Sequence, residues 1–299
     1  MYDMPTNIDM TSQKVWFVTG ASSGLGKAVV EHALSRGDKV SATCRKPADL
    51  ADLQSKFPSS QLIVLRLDVT SPDEVASAFA KTVEAFGRVD VVYNNAGYVV
   101  IGETESVPDD VARRQFDVNF WGAVTVSREA VKVFREVNKP IGGVLLQASS
   151  MSGILATEAG AFYSASKFAL EGISEALSKE LDPSWNIRVR IIELGPFVTR
   201  ALTKESSTVV PPHPAYASLP PDHKLVQTRA FFASSPAFGG DPAKAAREIY
   251  NIAEDDTLSV IRVPLAPEAL ATIEQKAQEI KEILAQTAKF SQDVQYNRA

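Results

Sequence analysis

Cysteine is all but missing from this chain: Cys44 is the only one in 299 residues. An intrachain disulfide is therefore impossible, and the natural setting is a reducing, cytoplasmic compartment. Histidine is nearly as scarce. His32, His213 and His223 stand too far apart in sequence to suggest a metal set, and no metal is expected. Positive charge forms no block either. Thirty-one Lys and Arg face 36 Asp and Glu, a formal net charge of −5, so nucleic acid is not an expected partner. Long apolar runs are also lacking. The longest uncharged stretch, 140–157, is broken by Gln147, Ser149, Ser150 and Ser152 and by three glycines, so no membrane span is expected. The opening MYDMPTNIDMTSQK carries acids and no apolar centre, unlike a secretory signal, and residues 1–13 read as a tail.

What is present is enough apolar matter for a substantial core, at 45% of residues, with 22% charged. Strand-like runs alternate with helical patterns. The strands are VWFVT (15–19), KVSAT (39–43), LIVLRL (62–67), VDVVYN (89–94), GVLLQAS (143–149) and IRVRIIEL (187–194). Helical stretches fall near 24–36, 47–56, 71–86, 109–138 and 160–181. Ser71-Pro72-Asp73-Glu74 has the chemistry of a helix start: a capping hydroxyl, a proline in the first turn, then acids on the positive end. Gly37 suits a helix stop. Alternating β and α units whose strands are nearly continuous in Val, Ile and Leu predict an α/β fold. The form expected is a Rossmann-like, doubly wound parallel sheet of about seven strands with helices on both faces. A single domain over 14–299 is expected.

The pattern breaks at 200–240, which holds six prolines together with Tyr216, Phe231, Phe232 and Phe238. An irregular insertion of this length in a compact domain suggests a substrate loop, and its apolar content suggests a lipophilic or mid-sized ligand. A helix from Asp241-Pro242, a strand at 259–263 and a C-terminal helix over 266–290 follow. The last carries a stripe of Leu270, Ile273, Ala277, Ile280 and Leu284, which reads as a packing face within the chain or between subunits rather than a ligand site. Trp121 is expected in the core, and Cys44 is expected to be a buried filler.

Two local motifs carry chemistry. TGASSGLG (19–26) follows the first strand and opens the first helix. Gly20, Gly24 and Gly26 would let the backbone amides around Ser22, Ser23 and Leu25 approach a pyrophosphate at the positive helix end. At the end of the second strand no carboxylate awaits a ribose 2′-hydroxyl. Arg45 stands there instead, which favours a 2′-phosphate and hence NADP(H) over NAD(H). Second, Tyr163 and Lys167 lie four residues apart in AFYSASKFALEG, a spacing that stacks phenol and ammonium on one helical face. Taken alone, such a pair also fits an ordinary surface helix.

TGASSGLG, LDV at 67–69, NNAG at 94–97, Asn119, Ser150 and YSASK at 163–167 occur together in this order. The set resembles the short-chain dehydrogenase/reductase family over roughly residues 14–200. The resemblance implies Tyr163 as general acid/base, Ser150 as hydrogen-bond partner of the substrate oxygen, and Lys167 on the nicotinamide ribose. Ser150 is chosen over its neighbours Ser149 and Ser152 because it lies thirteen residues before Tyr163. The resemblance further implies that Asn119 supports a water linking Lys167 to solvent, that Asp68 contacts the adenine beside Val69, and that Leu25 packs along the pyrophosphate. It places Asn95 against the cofactor and has Asn95, Ala96 and Gly97 steady the sheet. Phe197 and Thr199 fall at the nicotinamide end, although Leu194 replaces a proline usual in relatives and Pro196 follows Gly195 instead.

The chemistry this supports is reduction of a ketone or aldehyde. A phenol is too weak an acid at neutral pH, and an adjacent ammonium is expected to lower its pKa. Two other readings use the same residues differently. A non-catalytic NADP-sensing regulator would need the glycine loop but not the serine, tyrosine and lysine. An epimerase or dehydratase would hold its nucleotide tightly and show no net cofactor turnover. The Tyr163 helix and the C-terminal helix are the expected faces of a homodimer or homotetramer, states common among the relatives the resemblance implies.

Overall fold

The computed structural model describes residues 13–199, 207–234, 238–292 and 294. The tail, apart from Gln13, and parts of the 200–240 segment lie outside them. Seven parallel strands form the central sheet: β1 (Val15–Val18), β2 (Lys39–Cys44), β3 (Leu62–Arg66), β4 (Val91–Asn94), β6 (Gly143–Ala148), β7 (Ile187–Leu194) and β9 (Arg262–Leu265). Their order is β3-β2-β1-β4-β6-β7-β9. The order reverses between β1 and β4, which opens a crevice at the carboxyl ends of those strands.

Helices cover both faces, as the two-sided apolar strands require. On one face α1 (Gly24–Ser35) and α8 (Pro242–Glu254) bury Val29, Val30, Ala246 and Ile249 against Trp16, Val18, Tyr93 and Leu146. On the other, α3 (Pro72–Phe86) and α5 (Ala123–Glu136) press Phe79, Val126 and Phe134 onto Phe17, Val92 and Leu145. Neighbouring residues of one strand thus serve opposite cores. Local signals behave as the chain suggests. Ser71 caps α3 by accepting from the Glu74 amide, and Gly87 ends that helix at φ +83°. Between 47 and 56 the chain makes only a short turn, Pro47–Leu50, and the four-residue α2 (Ala51–Gln54).

The region 200–240 is less irregular than its prolines imply. Residues Ser207–Val209 form β8, which pairs in parallel with β5 (Val99–Ile101) as a separate two-stranded sheet. A helix, α7 (Lys224–Ser234), follows. One expectation is corrected. Trp121 is 56% exposed rather than in the core. It lies in a π-helical segment, Asp117–Gly122, joining α4 (Asp109–Phe116) to α5, in which Asn119 and Gly122 take the inward positions. A Cβ on Gly122 would come within 2.7 Å of the Val69 side chain, so this turn sits close on its neighbour and Trp121 faces out. The C-terminal helix, α9 (Pro267–Thr287), is anchored by Ala269 and Thr272, while Leu270, Ile280 and Leu284 of the stripe are exposed within this chain.

Candidate active site

The crevice is walled first by the glycine loop. Gly20 and Gly24 hold φ of +66° and +56°, a region that disfavours side chains. A Cβ on Gly26 would strike the Gly20 carbonyl, so the loop folds back on itself only with glycine there. Ser23 is the N-cap of α1 but its hydroxyl makes no capping bond, and the first turn holds no acid. The amides at the positive helix end are thus left to an external anion, and this donor set fits the pyrophosphate of a dinucleotide. Thr199 stands over the loop, since a Cβ on Gly24 would meet its Cβ at 3.2 Å. Beside them lies a cleft of about 560 Å³ lined by Gly24, Lys27, Val198 and Thr199. Phe197 is buried instead against Gly240, which it meets in a backbone bridge.

The NNAG turn fixes the crevice floor. The amides of Asn95 and Ala96 both donate to Thr19 Oγ1, at 2.8 and 2.9 Å, and Asn95 Nδ2 donates to the Thr19 carbonyl at 2.9 Å. Asn94 Nδ2 donates to Ala123 O and to Gln147 Oε1, both at 2.9 Å, tying β4 to α5 and β6. At the far end, Asp68 follows β3. Burial works against its ionisation, but bonds from the Thr70 hydroxyl and amide, with Arg45 and Arg66 nearby, hold its pKa below the usual value. Arg45 is solvent-exposed just past β2. Cys44 before it is buried, its thiol donating to Lys46 O.

Three serines follow one another at the end of β6, and the structure separates them. Ser150 stands by the Tyr163 hydroxyl, whose ionisation it favours, and its Oγ accepts from the Ser152 amide at 3.1 Å. Ser149 points elsewhere, donating to Glu171 Oε1 at 2.6 Å. Ser152 meets Thr157 at 3.3 Å. Tyr163 and Lys167 share a face of α6 (Ala161–Glu180). Lys167 Nζ lies 5.8 Å from the Tyr163 ring centre and donates to Ala148 O at 2.6 Å. One proton of three is so used, and two remain for ribose hydroxyls.

The expected acidification of Tyr163 is not what this arrangement gives. Burial raises the phenol's pKa, and the Ser150 hydroxyl is what opposes the rise. The ammonium is itself weakened by burial, down to about 8, with Glu171 acting against that loss. Asn119 uses its side chain on the neighbouring backbone and on α6. Its Oδ1 accepts from the Tyr98 amide, and its Nδ2 donates to Tyr98 O at 2.9 Å and Ser166 Oγ at 3.2 Å. A π-helical segment interrupts the regular helical ladder around it.

The inserted segment contributes to an apolar cluster at Tyr163. Val99, Ile101, Ala159 and Leu225 form it, and Tyr163, Tyr216, Leu219 and Phe232 pack against it. Their apolar character was visible in sequence; their clustering with Tyr163 was not. Glu103, Arg229 and Glu171 also escaped sequence reasoning. Arg229 Nη1 meets Glu103 Oε2 at 3.0 Å and its Nη2 donates to Val210 O at 2.6 Å, clamping α7 to the small sheet. No sequence motif announces an ion pair between residues so distant. The histidines are dispersed: His32 edges Tyr250, while His213 and His223 accept from backbone amides two residues on. Among the described residues no group of His, Cys, Asp and Glu is arranged to hold a metal ion, and no helix is long and apolar enough to cross a membrane.

Comparison with known proteins agrees with this arrangement. The short chain dehydrogenase family model matches residues 14–209. The oxidoreductase calM of Penicillium decumbens is 36% identical, with 90% of this chain and 89% of that protein covered. An uncharacterized oxidoreductase, C162.03, of Schizosaccharomyces pombe is 37% identical over 93% of this chain and 90% of its own. A short-chain dehydrogenase from Streptomyces avermitilis superposes with a TM-score of 0.84 at 33% identity, covering 95% of this chain and 99% of that one. With a glycine loop, a Ser–Tyr–Lys constellation and relatives that match nearly end to end, the chain belongs to the short-chain dehydrogenase/reductase family of NAD(P)-binding oxidoreductases.

Proposed function

We propose that this protein is an NADP(H)-dependent reductase, or dehydrogenase in the reverse sense, of a lipophilic or mid-sized ketone or aldehyde. The observation that carries the reading is the meeting of Ser150, Tyr163 and Lys167 beside the glycine loop, with an apolar cluster at Tyr163. When bound, the nicotinamide supplies or accepts the hydride. The chain's own groups handle the oxygen and its proton. Ser150 donates to the carbonyl oxygen and stabilises the negative charge that develops there. Tyr163 delivers its hydroxyl proton to that oxygen, so that one hydride on carbon and one proton on oxygen complete the alcohol. Lys167 holds the ribose and offsets the tyrosinate left behind. Thr199 borders the nicotinamide side of the crevice, with Leu25 along the pyrophosphate and Val69 beside the adenine. Asn119 carries the proton path from Lys167 outward.

The choice of NADP(H) rests on Arg45, placed just past β2 where no carboxylate opposes a 2′-phosphate. The clustering of Tyr216, Leu219, Leu225 and Phe232 with Tyr163 supports an apolar substrate. One buried cysteine suits cytoplasmic residence. The test is a panel of apolar ketones and aldehydes run separately with NADPH and NADH. At least one should be reduced faster with NADPH, and Tyr163→Phe should remove more than nine-tenths of that rate while keeping cofactor binding. Full turnover by Tyr163→Phe would end this reading.

A further inference from the structure

A polar cluster lies behind Lys167, away from the crevice. Glu171 is one helical turn beyond Lys167 on α6, and both side chains are buried. Its two oxygens are fully engaged: Ser149 donates to Oε1 at 2.6 Å, and Arg262 Nε of β9 donates to Oε2 at 3.1 Å. Gly153 leaves the room it occupies, since a Cβ there would strike Oε1. Arg262 also donates to Glu175 at 2.9 Å and stands 3.6 Å from Glu193 of β7. Glu193 is 0% exposed, and neither of its oxygens has a hydrogen-bond partner.

One guanidinium therefore faces three carboxyl groups. Isolated buried charge is costly, so the group without donors is the one that keeps its proton. Burial, followed by the nearby Glu171, raises Glu193 to about 7, with Arg262 opposing. Below about pH 7 charges then balance: Lys167 and Arg262 are positive, Glu171 and Glu175 negative. Of the other segments around Lys167, that at 117–122 has its one charged residue, Asp117, exposed to solvent. The 117–122 segment contributes neutral Asn119, the end of β6 contributes Ser149 and Ser150, and β5 contributes only Val99–Ile101.

We propose that Glu171 is a positioning residue of the active site: its carboxylate, fixed by Ser149 and Arg262 one helical turn from Lys167, keeps that buried side chain an ammonium at neutral pH. This rests on the Tyr163–Lys167 chemistry above, yet its physical core is a property of one lysine. Without the ammonium nothing offsets a tyrosinate, and the alkaline side of the reductive rate profile follows the titration of Lys167.

The direct test follows the Lys167 side-chain resonance in isotope-labelled full-length protein against pH, assigned by its loss in Lys167→Arg. The wild-type midpoint should lie near 8. Glu171→Gln should move it down by about one unit, a tenfold change in proton affinity, and Glu171→Asp should restore most of the shift. The alkaline limb of NADPH-dependent reduction of a panel carbonyl should move in step. If Glu171→Gln fails to fold beside Arg262, the neutral double variant Glu171→Gln/Arg262→Gln should still lower the midpoint, because Glu171 is the charge nearer to Lys167 along α6. An unchanged midpoint in a folded variant, or a loss of rate uniform across pH, overturns the proposal. If Tyr163→Phe retains full turnover while the midpoint shifts as stated, the functional reading fails and the electrostatic one stands. If Tyr163→Phe is inactive and the midpoint is fixed, the reverse holds.

Discussion

Arg45 concentrates what a single residue can decide here. Asp68, just past β3, has its pKa held below the usual value by Thr70 and by the neighbouring guanidinium groups of Arg45 and Arg66, against the effect of burial. Arg45→Ala removes a cation that a 2′-phosphate would pair with and touches no buried contact. The expected result is a rise of about tenfold or more in the Kd for NADPH, with that for NADH changed by less than twofold, read by cofactor fluorescence titration. Equal losses for both cofactors would remove the argument for NADP preference. At this scale the sequence was informative where residue type and spacing are dictated by chemistry. The thirteen-residue count singled out Ser150, and in the structure Ser149 is bonded to Glu171 and Ser152 meets Thr157. Glu193 could not be found this way. A glutamate in a β-strand is common, and only the packing of β9 and α6 around it shows that it lacks donors.

Elements were legible in proportion to their length and periodicity. β7, eight residues long with Ile187, Val189, Ile191, Ile192 and Leu194, appears where the sequence places it, and Asp241-Pro242 opens α8 with Asp241 accepting from the Ala243 amide. The three-residue strands β5 and β8 were invisible, because each is too short to show alternation and they pair across about a hundred residues. α7 was hidden among prolines and carries no clear apolar stripe; only Leu225 is fully buried. What holds this unit is the clasp of Arg229 on Glu103, supported by Ser106 donating to the same carboxylate at 2.9 Å. Breaking a buried pair by removing one partner costs about 3–5 kcal/mol. Arg229→Met is therefore expected to loosen 207–234 before the main sheet. Limited proteolysis should cut within that segment at least tenfold faster, and KM for an apolar substrate should rise more than kcat falls. Cleavage at the wild-type rate would show that the small sheet and the apolar cluster suffice without the clasp.

For the whole molecule the parallel sheet explains both the site and a cost. Every strand of the central sheet runs the same way, so the glycine loop, NNAG and Ser150 all emerge at one edge. The same burial on both faces leaves no water for a charge that the sheet interior must hold, and Glu193 is such a charge. Its folded pKa, about 7, lies above the ordinary 4.5. Below 4.5 folded and unfolded chains both hold the proton, and no penalty arises. Between 4.5 and 7 the unfolded chain releases a proton that the folded chain retains, so stability falls as pH rises through that window. Above 7 both are ionised and the penalty is complete. Glu193→Gln keeps the shape and cannot ionise, while every other titrating group is shared with wild type. Its own amide adds an offset that does not depend on pH. The difference in melting temperature, variant minus wild type, should therefore climb between about pH 4.5 and pH 7 and stay level on either side. A flat difference across that interval would mean that Glu193 is ionised in the folded chain throughout, with Arg262 shared among three carboxylates after all.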